Sequence, residues 1–136
     1  MKQTRDILHA FSGRLVGKPL MKTSVCEAIA LLPQKLIEYT TRNIWFISSP
    51  EDAWAFTFRG SDIKNQHLVV LSDELFSQEK PQIIYTIIHE IGHVVLNHKN
   101  SMGRMQTQNE IDKQEFEADE FAKKYLPGFK TLNPQS

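Results

Sequence analysis

Apolar residues recur at helical spacing in the segment that begins at Pro81 and continues to about Asn97. Proline fits the first turn of a helix, because its missing N–H would have no partner there in any case. The spacing predicts that one face of this helix is buried in the core. The buried stripe is expected to consist of Ile84, Ile88, Ile91 and Val95.

A second amphipathic segment lies in the C-terminal part of the chain. Its apolar positions, which predict another helix, are Ile111, Phe116, Phe121 and Tyr125. Residues 99–109, between the two predicted helices, contain turn formers and few apolar side chains. This composition predicts a loop that connects the two helices.

Three short segments upstream favour β-structure. They are rich in β-branched and aromatic residues, turn formers separate them, and they comprise residues 44–47, 54–58 and 67–71. Residues 72–75 predict a short turn or helix after the third strand. The middle of the chain is therefore expected to form a small sheet.

The N-terminal segment is predicted to be helical. Residues 2–15 form a first helix that should end near Gly13. Residues 24–27, Ser-Val-Cys-Glu, have the pattern of a capping box that begins a helix continuing to Tyr39. Pro33 is expected to kink this helix or to divide it into two shorter helices.

Composition restricts the partners and the location of the protein. Sixteen lysine and arginine residues balance sixteen aspartate and glutamate residues, so no net basic charge favours binding to nucleic acid or to a membrane surface. No segment resembles a signal peptide or reaches the roughly 18 apolar residues of a membrane helix, which leads us to expect a cytoplasmic protein. The single cysteine, Cys26, cannot form an internal disulfide and is expected in the core.

The sequence His89-Glu90-Ile91-Gly92-His93 lies within the predicted helix. Residues four apart share one face of a helix, so His89 and His93 can bind one metal ion. Glu90 is then close enough to take a proton from a water that the metal activates, which is the task of a general base. The spacing therefore predicts two metal ligands and the base of a hydrolase.

A catalytic zinc site needs a third protein ligand from outside this motif. Glu115, Ala118, Asp119 and Ala122 share one stripe of the C-terminal helix, and the two alanines allow a close approach to another helix. Glu115 is the predicted third ligand, and Asp119, one turn later, can accept a hydrogen bond from a ligand histidine. His98 is a further candidate for the third ligand if the motif helix ends early.

The motif His-Glu-Ile-Gly-His, followed by Glu-x-x-Ala-Asp-x-Phe-Ala, resembles the gluzincin metallopeptidases. The soluble ImmA/IrrE-like (M78-type) peptidases share this spacing, usually with Asn in place of Asp119, and residues 125–127, Tyr-Leu-Pro, resemble the end of their pattern. The membrane-associated M48-type peptidases carry Glu-x-x-x-Asp, which residues 115–119 match, but their membrane spans are not found here. The resemblance covers about residues 43–127.

This resemblance implies a minimal zincin-like fold of the α+β class. The expected fold is a small three-stranded sheet packed on the motif helix, with supporting helices. At 136 residues and 40% apolar content the chain is expected to form a single domain, residues 1–136. Residues 1–40 are expected to supply N-terminal helices and residues 43–127 the catalytic core.

The resemblance also implies zinc ligation by His89, His93 and Glu115, with Glu90 as the base. The expected function is zinc-dependent hydrolysis of a protein or peptide substrate, and relatives of the ImmA/IrrE-like branch commonly act on a repressor protein. The alternative is a non-catalytic, zinc-stabilised domain that binds proteins or regulates them. This alternative is less favoured, because a structural zinc site does not need Glu90.

A peptidase of this type usually adds a donor that stabilises the developing oxyanion. The spacing selects none of the candidates for this donor, which are His67, Tyr85, His98, Arg104 and Tyr125.

Overall fold

The structure is a computed structural model that describes residues 2–49, 55–58, 67–96 and 107–126. These ranges contain five α-helices: α1 (Lys2–Phe11), α2 (Pro19–Ile29), α3 (Gln34–Asn43), α4 (Lys80–Val95) and α5 (Gln108–Tyr125). They also contain four strands: β1 (Leu15–Val16), β2 (Ile44–Ser49), β3 (Ala55–Phe58) and β4 (His67–Ser72). Within the described ranges, no helix combines the length and the apolar character that a membrane crossing requires.

The four strands form one mixed sheet in the order β1-β2-β4-β3. Strands β1, β2 and β4 run parallel, whereas β3 pairs antiparallel with β4 at the edge of the sheet. The β2–β4 pairing places Ile44 opposite His67 and Ser49 opposite Ser72. Phe46 and Val69, which are also opposite each other, are fully buried. The pairing therefore directs one side of the sheet toward the core.

The predicted α+β class is confirmed, and all three predicted strands form. The sheet has a fourth strand, β1, which lies in the segment that we expected to end a helix. Helix α1 ends earlier, at Phe11, and the chain then turns through Ser12 at φ 51° and Gly13 at φ 92°. Glycine adopts such a positive φ without strain. The turn allows Leu15 to pair with Phe46.

The predicted start of the second helix at residues 24–27 is wrong. Helix α2 begins at Pro19, which occupies the first helical turn, and Ser24 lies buried in the helix interior. A proline at the start of a helix does not depend on a side-chain cap, which explains why the Ser-x-x-Glu pattern was misleading. The predicted division at Pro33 is confirmed, because Pro33 is the N-cap residue of α3.

Helix α4 packs against α2, α5 and β3, and most of its side chains are buried. A 3-10 helix, Asp73–Ser77, follows β4 and begins with the Ser72 hydroxyl accepting a hydrogen bond from the Glu74 N–H. Three members of the predicted stripe on α4 are buried as expected, with Ile88 and Ile91 fully buried, whereas Val95 at the end of the helix is only partly buried. Helix α4 is therefore both a central core element and the carrier of the motif.

Helix α5 forms as predicted, but one of its apolar residues does not face the core. The Phe116 side chain is 64% exposed. Phe116 lies about 100° around the helix from Glu115, on the side away from the buried Ala118 and Ala122. The contact with α4 therefore rests on small residues and on Phe121 and Tyr125, which pack against the core.

Candidate metal centre

Helices α4 and α5 lie close together because small residues line their contact. Ala118 and Ala122 of α5 are fully buried. Gly92 of α4 lies so near the Phe121 side chain that a Cβ on Gly92 would come within 3.0 Å of the ring. Small side chains allow two backbones to approach closely. Short polar side chains can consequently reach across from one helix to the other.

The start of α5 is fixed by a capping box. The Thr107 hydroxyl accepts a hydrogen bond from the Glu110 N–H at 3.1 Å, and the Glu110 carboxylate accepts one from the Thr107 N–H at 2.9 Å. These two bonds satisfy N–H groups that would otherwise lack partners at the helix start. They set the beginning of the helix that presents Glu115.

Five polar side chains alternate between α4 and α5 to form a continuous chain of contacts. We call this chain the polar seam, and its members are His93, Glu115, His89, Asp119 and Tyr85. The two carboxylate oxygens of Glu115 lie 2.9 Å from His93 Nε2 and 3.1 Å from His89 Nε2. Since both Nε2 atoms face the same carboxylate, the three side chains converge on one point.

The other ring nitrogen of His89 faces Asp119. His89 Nδ1 lies 2.9 Å from Asp119 Oδ1, with the oxygen off the direction of the ring N–H. Burial lowers the pKa of His89, but the carboxylates of Asp119, Glu115 and Glu90 outweigh burial and raise it to about 10. The site around His89 therefore strongly favours a positive charge.

The carboxylates of the polar seam remain ionised. Hydrogen bonds from His89 and His93 hold the pKa of Glu115 well below its ordinary range. Burial raises the pKa of Asp119, but its close contact with His89 and its hydrogen bond with Tyr85 outweigh this effect and lower the pKa. Negative charge is thus concentrated beside the two imidazoles, where a bound cation would be stabilised.

Tyr85 lies one turn before His89 on α4, and its hydroxyl donates a hydrogen bond to Asp119 Oδ1. Burial and this hydrogen bond raise the pKa of Tyr85 above its ordinary range, so the phenol stays protonated and remains a donor. The sequence included Tyr85 only among the candidate oxyanion donors. Its spacing of four from His89 is the signal that could have placed it in the polar seam.

Glu90 lies on the same region of α4 and is only 8% exposed. Around the helix axis it is about 100° from His89 and about 60° from His93. Its carboxylate contributes to the raised pKa of His89, which shows that the two groups are close enough to interact electrostatically. Glu90 therefore lies on the same turn of α4 as the two histidines, with a carboxylate that interacts electrostatically with His89.

The three converging residues fit a zinc ion. Two imidazole nitrogens and one carboxylate oxygen are ligands that zinc commonly uses, and bonds of about 2.0–2.1 Å in a tetrahedral site place ligand atoms about 3.3 Å apart. The contacts of Glu115 with His89 and His93, at 3.1 and 2.9 Å, are close to this separation, although they involve different oxygens of the carboxylate. One ligand atom from each of the three residues lies within 4.8 Å of the others, so small side-chain adjustments bring the set to the geometry of zinc. With neutral histidines the set carries one negative charge, which suits a divalent cation.

The structure brings His89, His93, Glu115 and Asp119 together, and their roles as ligands and support stay predictions. The alternative third ligand, His98, lies outside the described residues, as do Arg104 and most of the predicted loop. Cys26 is buried, as expected, and burial raises the pKa of its thiol to about 11. Cys26 is therefore a protonated core residue.

Comparison with known families identifies one match. The model of the family Peptidase U49 matches residues 44–131, which extend from β2 through α5 and include every member of the polar seam. No curated protein matches, and no solved structure matches.

Proposed function

The chain belongs to the Peptidase U49 family, and we propose that it is a zinc-dependent peptidase of the gluzincin type. The observation that carries this proposal is the convergence of His89, His93 and Glu115 within 4.8 Å of one another, beside the buried Glu90. Three ligands with a neighbouring carboxylate leave one position for water and place a base near it. The catalytic core predicted for residues 43–127 stays a prediction.

In the proposed reaction, zinc bound by these three residues supplies the Lewis acidity that lowers the pKa of a water and polarises the scissile carbonyl. Glu90 takes a proton from the attacking water and delivers it to the nitrogen of the departing amine. The low exposure of Glu90 keeps this carboxylate away from bulk solvent, where a competing water network would weaken its action.

The other side chains of the polar seam hold the ligands in place. Asp119 Oδ1 lies 2.9 Å from His89 Nδ1, and this contact favours the form of His89 whose Nε2 can bind a metal at the point shared with Glu115. The substrate is a protein or peptide, and the resemblance to ImmA/IrrE-like peptidases favours a repressor protein. The cytoplasm is the proposed location.

The second candidate function is a zinc-stabilised domain that binds a protein without cleaving it. In a structural zinc site, binding of the metal stabilises the folded state of the protein. All four ligands of such a site usually come from the protein. The described residues bring only three ligand side chains together. A buried carboxylate next to such a set costs solvation energy, and the base of a hydrolase is the role that explains its placement.

The test is digestion of a mixed peptide library by the zinc-loaded protein, with products identified by mass spectrometry. We expect cleavage by the parent, and a decrease of about 10²–10⁴-fold in the rate with Glu90→Gln, which removes the base. Glu90→Gln should retain zinc, because Glu90 is not a ligand. The matched control is Glu120→Gln, an exposed carboxylate on α5, which should cleave at the parent rate.

Two results would contradict the peptidase proposal. One is the absence of cleavage by zinc-loaded parent across the library together with repressor proteins supplied intact. The other is equal cleavage by the parent and Glu90→Gln, which would assign the activity to another group or to a contaminating protease.

A further inference from the structure

The last member of the polar seam, Tyr85, has no role in the proposed reaction described above. Its side chain is 5% exposed, and its hydroxyl donates to Asp119 Oδ1. That same oxygen lies 2.9 Å from His89 Nδ1. One carboxylate oxygen therefore links the phenol of Tyr85 to the imidazole of His89.

A buried phenol needs a hydrogen-bond partner, and Tyr85 meets this need with Asp119. The bond also restrains Asp119, whose carboxylate is otherwise free to rotate between several staggered conformations. Asp119 is separated from Tyr85 by 34 positions in sequence, so the bond also connects α4 with α5. Loss of the hydroxyl would leave the Asp119 carboxylate less restrained and His89 less well oriented.

The position of Tyr85 argues against the oxyanion role that the sequence left open. A donor for the oxyanion must present its O–H to the substrate carbonyl. The Tyr85 hydroxyl is buried and directed at Asp119. Its O–H therefore donates to Asp119 on the Nδ1 side of His89, whereas the proposed metal position lies on the Nε2 side.

We propose that Tyr85 is a positioning residue that fixes Asp119 and, through it, the orientation of the ligand His89. This inference rests on the proposed zinc ligation by His89, His93 and Glu115. Groups that orient a ligand histidine typically change metal affinity by about 10–100-fold when they are removed. Tyr85 acts one bond further from the ligand, so the lower end of this range is expected.

The test is a double-mutant cycle on zinc affinity, measured by competition with a chromogenic chelator. Tyr85→Phe keeps the buried ring and removes only the hydroxyl, and we expect about 10-fold weaker zinc binding. Asp119→Ala should weaken binding at least as much. When Asp119 is already alanine, Tyr85→Phe should have no further effect, because the hydrogen bond through which the hydroxyl acts on His89 has been removed while the ring beside His89 is retained.

Two controls separate positioning from general damage to the fold. Tyr39→Phe removes the hydroxyl of an exposed tyrosine on α3 and should bind zinc like the parent. The ¹⁵N chemical shifts of the His89 ring in the zinc-loaded protein should change in Tyr85→Phe. A general packing defect would instead lower the melting temperature, and its effect on zinc affinity would be the same whether residue 119 is Asp or Ala.

The inference is overturned if Tyr85→Phe binds zinc with parent affinity, or if its loss of affinity persists undiminished when Asp119 is alanine. Those results would leave the proposed function intact, provided that Glu115→Ala still abolishes binding. If the parent binds no zinc, or if Glu115→Ala binds like the parent, the proposed ligation fails and this inference fails with it.

Discussion

The N-terminal helices and the α4–α5 pair hold side chains of opposite character. Helices α1 and α2 contribute fully buried apolar groups such as Phe11, Val25 and Ile29. Between α4 and α5 the contact includes the polar seam, in which the side chains of His89, His93 and Asp119 are mostly buried and the Glu115 side chain is 54% exposed. The N-terminal helices also lie outside residues 44–131, which the family model matches.

This difference separates apolar contacts, which stabilise the protein, from the polar contacts that carry its chemistry, and α4 contributes to both. Burial of apolar surface stabilises the fold by about 25 cal/mol per Å². The ionisable groups of the polar seam that are buried, the two imidazoles and the Asp119 carboxylate, lose solvation energy that their mutual attractions only partly offset. A contribution to stability therefore does not account for the presence of these groups between α4 and α5, whereas binding of a cation does. Changes in the two regions should therefore affect different measurements.

The largest effect on stability is expected in the N-terminal region, from Ile29→Ala. Ile29 is fully buried, and replacing a buried isoleucine by alanine typically costs about 2–5 kcal/mol through lost burial and the remaining cavity. Urea denaturation followed by circular dichroism measures this loss. The folded variant should bind zinc like the parent, since Ile29 lies outside the polar seam. A weaker zinc affinity at an unchanged stability would contradict the separation of the two regions.

A smaller effect, on zinc binding rather than on stability, is expected from Gly92→Ala at the α4–α5 contact. Alanine favours a helix by about 1 kcal/mol over glycine. The new Cβ would however lie 3.0 Å from the Phe121 ring, so α5 must shift outward by a few tenths of an ångström. We expect little net change in stability but several-fold weaker zinc binding, because α5 carries Glu115.

Phe121→Leu provides the control for this prediction. The smaller side chain makes room for the added methyl group, so the double variant of Gly92→Ala and Phe121→Leu should recover zinc affinity relative to Gly92→Ala alone. Parent zinc affinity in Gly92→Ala would show that the close contact of the two helices does not set the geometry of the polar seam.

The smallest effect concerns Cys26, a titratable group among the apolar residues of α2. Burial raises the pKa of its thiol from 9.0 to about 11, so the folded protein holds this proton more tightly than the unfolded chain. The resulting stability is complete below about pH 9 and is lost as the pH rises toward 11. The Cys26→Ala variant has no thiol and should not show this decrease in stability at high pH.

The measurement is the urea midpoint of the parent and of Cys26→Ala at about pH 8 and about pH 10.5. The advantage of the parent should shrink at the higher pH. Titration of His89 falls in the same range but is common to both proteins, so it cancels in the difference. An advantage that does not change with pH would contradict a buried, protonated thiol.

The sequence predicted those features whose signals are local. Periodicity located α4 and α5, and the spacing of four between His89 and His93 predicted that they share one face. The predicted start of α2 was wrong because Pro19 and the Ser-x-x-Glu pattern at Ser24 are both typical of a helix start. Only the packing of the folded chain decides between the two. Strand β1 was missed because two residues are too few for a periodic signal.

Contacts between helices were the least accessible from sequence. The pairing of Glu115 and Asp119 with the motif helix was predicted from one stripe on α5. The link from Tyr85 to Asp119 spans 34 positions and depends on which faces of the two helices meet. Sequence periodicity identifies such faces, but it does not specify which turn of one helix lies opposite which turn of the other.

The most direct test of the zinc site is elemental analysis of the purified protein after incubation with zinc and removal of the excess. The account predicts about one zinc per chain in the parent, and strong depletion in both His89→Ala and Glu115→Ala. Glu120→Ala, an exposed carboxylate on the same helix as Glu115, should keep the parent value. A parent that takes up no zinc, or a Glu115→Ala variant that keeps it, would contradict the ligand set on which the proposed function depends.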